Sequence, residues 1–106
     1  MNEQNVDVKF TQEIGGMIKQ IQELTKEAVS LVEPDVNYII RNNITDRKQI
    51  EALLDRLLDY AGMDDNALLL FRRLCRHYYF INPRGTAEYV YSYRDMYDSE
   101  DDDSKA

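Results

Sequence analysis

The run IEALLDRLLDYAGMDDNALLLFRRLCRHYYF, residues 50 to 80, decides the fold. Ile50, Leu53, Leu54, Leu57, Leu58 and Ala61 return at intervals of three and four, which is the period of one helix face. Gly62 stands where the residue just past a helix C-terminus belongs. Asp64 and Asp65 then offer a cap and negative charge to the positive end of a second helix. Leu68, Phe71, Leu74, Cys75 and Tyr78 share a face of that helix, and Leu70 widens it. Asp46 and Gln49 form a capping box in front of the first helix, and NPRG, residues 82–85, stops the second. The stretch is therefore an αα-hairpin from about Asp46 to Phe80.

N-terminal to the hairpin, Phe10, Ile14, Met17, Ile21, Leu24, Ala28 and Leu31 alternate spacings of four and three, which predicts a long amphipathic helix. Ile18, Thr25 and Val32 flank this series, so the stripe is wider than a strict two-stranded seam. It suits a helix packed on its own chain, or self-association through residues 10–32. Gly15 and Gly16 each cost about 1 kcal/mol of helix propensity against alanine, which places the firm start near Met17. Pro34 is expected to end this helix and to sit in the first turn of a short linker helix that buries Val36, Ile39 and Ile40. Asn42 and Asn43 suit a left-handed turn.

Beyond the hairpin, TAEYVYSYRDMY, residues 86–97, reads in two ways. Tyr89, Tyr91 and Tyr93 alternate as in a strand, whereas Tyr89, Tyr93 and Tyr97 share a helical face behind a Thr86 cap. A strand has only residues 77–81 as a neighbour, and a lone hairpin is marginal, so helix is the preferred reading. The expected fold is all-α, a small bundle of four to five helices with Ile21, Leu24, Leu31, Leu53, Leu57, Phe71 and Leu74 in the core. It forms one domain over residues 1–97, with 1–9 compatible with disorder. Residues 98–106, DSEDDDSKA, lack large apolar groups and read as a disordered acidic tail.

At 106 residues and 43% hydrophobic, the chain can bury a core without metal or disulfides. The single cysteine, Cys75, precludes an internal disulfide and suits a reducing compartment, so a cytoplasmic location is expected. The start MNEQNVDVKF has no secretory pattern, and no apolar run approaches the ~20 residues of a membrane span. A net charge of −7 disfavours non-specific attraction to nucleic acid or anionic lipid.

Catalytic, cofactor and metal sites are not indicated. Cys75 and His77, two apart on a helix, point to different faces and make no nucleophile–base pair. Cys75 reads as a small core residue and His77 as a boundary residue without a second histidine to share a metal. Glu51, Asp55 and Asp59 read as a solvated edge opposite the leucine stripe.

Residues 71–94 nevertheless hold five arginines against one glutamate, and 71–97 hold eight of the eleven aromatics. Arginine forks bind carboxylate and phosphate in a bidentate manner, and tyrosine gives stacking area with a polar tip. The candidate partner-binding residues are Arg72, Arg73, Arg76, Tyr79 and Arg84. Their expected partner is a protein with an acidic patch, which makes the chain a non-enzymatic interaction or regulatory module. Alternatives are a nucleic-acid-binding helix-turn-helix using Arg72, Arg73 and Arg76, and an acidic mimic of DNA. The first places NALLLF where base-contacting polar side chains belong, and the second lacks a phosphate-like row of acids. The six acids at positions 95–103 are enough to screen the arginines loosely.

Overall fold

The computed structural model describes the backbone of residues 3–97 and the side chains of residues 8–97. Four helices follow one another: α1 (Glu3–Arg41), α2 (Arg47–Tyr60), α3 (Asp65–Tyr79) and α4 (Pro83–Tyr97), with no strand among the described residues. The all-α bundle with its αα-hairpin is thus the observed architecture, and the tyrosine-rich segment is a helix. The acidic tail lies outside the described residues.

Local chemistry sets the boundaries. Asp46 caps α2 by accepting from the backbone N–H of Lys48 and Gln49, and Asp64 caps α3 through Asn66 and Ala67. Asn43 holds the left-handed conformation after α1, at φ 53°. Gly62 follows α2 as expected, yet its φ is not positive. What requires glycine there is space: a Cβ would fall 2.2 Å from the Tyr97 ring. α4 starts earlier than its expected Thr86 cap. Asn82 Oδ1 accepts from Gly85 N–H at 3.0 Å, and Pro83 occupies the first helical position, where its missing N–H costs nothing. Thr86 is buried and donates its hydroxyl to the Asn82 carbonyl.

Pro34 does not end α1, and there is no separate linker helix. Val32, Val36 and Ile39 are buried, whereas Pro34 is exposed. At about 100° per residue, Pro34 lies nearly opposite that buried face. The carbonyl of Ser30 that loses its helical partner therefore meets water, and packing on the other side carries the helix through.

The core joins three helices around α3. Val29, Val32, Val36 and Ile39 of α1 meet Ile50, Leu53, Leu54 and Leu57 of α2 and Leu70, Phe71, Leu74 and Tyr78 of α3. Leu53, Leu57, Phe71 and Leu74 are core residues as expected. Ile21, Leu24 and Leu31 are not; Leu31 is 77% exposed. The buried series Thr25, Val29, Val32, Val36, Ile39 has the same alternation of four and three as the expected one, displaced by one residue. Thr25 is accommodated by donating its hydroxyl to the Ile21 carbonyl at 2.8 Å.

α4 packs on α3 and, through tyrosines on one face, also reaches α2. Tyr89 OH donates to Asp55 at 2.7 Å, and Tyr97 OH reaches the Leu58 carbonyl at 2.8 Å. Tyr93 lies between them, its ring 5.9 Å from Phe71 and 5.4 Å from Tyr97. The acids Glu51 and Asp55 are consequently receptors for tyrosine hydroxyls and not merely a solvated edge. Glu51 accepts from the buried Tyr78, whose oxygen in turn accepts from Asn82 at 3.2 Å. Tyr78→Phe leaves both partners unsatisfied and is expected to lower stability by about 1–3 kcal/mol, read from urea unfolding; an unchanged midpoint would show this network to be energetically idle.

Candidate functional site

Two surfaces of the folded chain stand out. The first is the N-terminal half of α1. By the 1.5 Å rise, α1 is about 58 Å long, while α2 and α3 reach only about 21 and 22 Å. α1 therefore overhangs the bundle, consistent with a longest extent of 62 Å, and every side chain from residue 8 to 24 is exposed. Phe10, Ile14, Met17, Ile18, Ile21 and Leu24 form one apolar side of it; Phe10 is 62% and Leu24 58% exposed. Near the bundle, Ile18, Ile21 and Gln22 line a hollow with Gly62 and Met63 of the α2–α3 turn. A continuous apolar stripe of this kind is unlike the scattered single apolar residues of an ordinary surface.

The second surface belongs to the arginines. Arg72 and Arg76, one turn apart on α3, rim a groove of roughly 340 Å³ between α3 and α4. Leu68, Phe71 and Cys75 of α3 and Val90 and Tyr93 of α4 supply its apolar walls, and Arg94 stands on the α4 side. The remaining expected residues are not brought to it. Arg73 is half-buried, one turn from His77, whose Nε2 lies 2.7 Å from the Ile44 carbonyl on the side of α1. Tyr79 is exposed and packs edge-on against Phe80, ring centroids 5.6 Å apart. Arg84 is exposed in the first turn of α4. The lining residues Val90 and Arg94 lie in a segment that the sequence leaves open to strand or helix, so their place one turn apart on the groove was not legible.

The suspected chemical groups have structural surroundings. Cys75 is buried, and that burial pushes its thiol up to about 12, so it stays protonated and poorly nucleophilic at neutral pH. Burial, and then the hydrogen bonds to Glu51 and Asp55, raise Tyr78 and Tyr89 above the ordinary tyrosine range. Tyr97 is raised as well, by burial first and then by the charge of Asp59. Among the described residues, no group of three or more His, Cys, Asp or Glu is placed to hold a metal, and no helix is long and apolar enough to cross a membrane.

No family model, curated protein or solved structure matches the chain.

Proposed function

We propose that this chain is a non-enzymatic protein-interaction module that self-associates through α1, residues 10–32. The observation that carries the reading is the unpartnered apolar side of the α1 overhang. Phe10, Ile14, Met17, Ile21, Leu24, Ala28 and Leu31 keep heptad spacing over three heptads, roughly 33 Å of helix. Leu24 and Leu31 face away from the bundle, so the stripe runs on alongside it instead of stopping where the core begins.

A second copy fits this stripe without like charges meeting. In a parallel pair Glu13 on one flank opposes Ile18 on the other, while Thr25 and Val32 are buried in each copy's own bundle and the seam there rests on the exposed Leu24 and Leu31. The width added by Ile18 extends the apolar area available to the seam. Static light scattering of the full chain from micromolar concentration upward is expected to show a dimer that dissociates on dilution. The double variant Ile14→Glu/Ile21→Glu, altered only at exposed positions, is expected to remain folded and monomeric, melting where the wild type does once diluted to monomer. A wild-type chain that stays monomeric throughout would reject self-association. Turnover of any substrate from a broad hydrolase and transferase panel would reject the non-enzymatic reading.

A further inference from the structure

We propose that the groove between α3 and α4 is a docking site for an acidic amphipathic helical segment of a partner protein. This rests on the groove alone and is independent of self-association through α1.

The chemistry of the groove is two-sided. Its interior is apolar, with Val90 the open wall at 41% exposure and Phe71 at the base. Its rim carries Arg72 and Arg76, and among the described residues no side chain pairs with either guanidinium. Successive arginines one turn apart stand about 6 Å from each other, which matches carboxylates three or four residues apart on a guest helix. The guest therefore needs apolar side chains on one face and Asp or Glu at its edge. Laying an amphipathic helix in an apolar groove is a recurrent mode of recognition.

Other occupants satisfy only half of this. A second copy using the same groove would set arginines against arginines, because a two-fold contact places each patch on itself. Residues 98–106 bring acids to the rim but no large apolar side chain for the interior. A nucleic-acid backbone would likewise use the arginines and leave the apolar walls uncovered.

The test is affinity selection of a randomised peptide library, about twelve residues per member or roughly three helical turns, on the immobilised full chain. Enriched peptides are expected to combine Leu, Ile or Phe at three- and four-residue spacing with flanking Asp or Glu. The best of them, labelled and titrated by fluorescence anisotropy, is expected to bind Arg72→Gln/Arg76→Gln at least tenfold more weakly. Val90→Asp should weaken it comparably, and circular dichroism should show both variants folded. Bound peptide should also slow alkylation of Cys75 under mildly denaturing conditions, since that thiol lines the same walls. Absence of enrichment, enrichment of peptides without acids, or equal binding by the variants would overturn the proposal. So would equal binding by a polyglutamate peptide or by DSEDDDSKA itself, which would reduce the groove to an ionic patch that the chain's own tail can fill.

Discussion

With Gly15 and Gly16 both replaced by alanine, the association constant of the α1 dimer is expected to rise tenfold to a hundredfold. Each glycine weakens a helix by about 1 kcal/mol relative to alanine, because it loses more backbone freedom on ordering. Neither position resists a methyl group: a Cβ at Gly15 or Gly16 has nothing within 4 Å. In the heptad register both also lie off the seam, so the substitutions add no contact between copies. Around Gly15 and Gly16 the overhang leans on nothing else in the fold, and a helical segment carrying two glycines is marginal in water without such support. A free chain is thus helical there only part of the time, and association draws on that fraction. Four glycines per dimer set a ceiling near 4 kcal/mol, about a thousandfold; the share realised depends on how helical the free chain already is. A dilution series gives the constant, and far-ultraviolet circular dichroism of the monomer should show added helix. If neither changes, the glycine pair is not what limits the overhang.

Folding stability is expected to be level around neutrality and to fall steeply above pH 10. Tyr78 and Tyr89 both have their phenols raised above the ordinary tyrosine value of about 10, through burial and through hydrogen bonds donated to carboxylates. In the unfolded chain they ionise near that value, and in the folded chain they do not. Above pH 10 the folded state therefore binds more protons, so stability falls as pH rises. Each contributes a slope of up to about 1.4 kcal/mol per pH unit between its unfolded and folded values, and the two together about 2.7. Tyr97 shifts in the same direction, but its partial exposure makes its share smaller. Urea unfolding at pH 8, 9, 10 and 11 measures this, and Tyr89→Phe should flatten the alkaline limb. A stability that holds level through pH 11 would show that these hydroxyls are not confined as described.

The hairpin was readable because its signals agree: periodicity, two aspartate caps and a glycine turn all mark the same boundaries. α1 was harder because it carries two stripes one residue apart. The series from Phe10 to Leu31 is richer in large side chains and drew the core assignment to Ile21, Leu24 and Leu31. Continued by four and three, however, it reaches Asp35 and Tyr38, while the neighbouring series reaches Val36 and Ile39. That continuation was present in the sequence and identifies the buried side. Pro34 misled for a related reason, since a proline rule for helix interiors says nothing about which face the lost hydrogen bond is on.

The arginine surface was legible as a composition but not as a place. Five arginines in sequence became two on a groove rim, one opposite them, one half-buried a turn from His77 and one at a helix start. Only the packing of α4 on α3 sorts them, and α4 is also held by tyrosine contacts to α2. Those contacts depend on hydroxyls meeting carboxylates and carbonyls 34 to 39 residues away, which no local pattern encodes.

Tyr97, laid over Gly62 and bonded to the Leu58 carbonyl, pins the end of α4 beside the α2–α3 turn. Gly62 and Met63 of that turn share a hollow with Ile18 and Ile21, and Met63 shares a second with Lys19 and Lys26. The end of α4 is consequently held next to the seam of α1. A fluorophore at the exposed Met96 position of α4 therefore becomes a proximity gauge for the seam, reading association without touching the stripe itself.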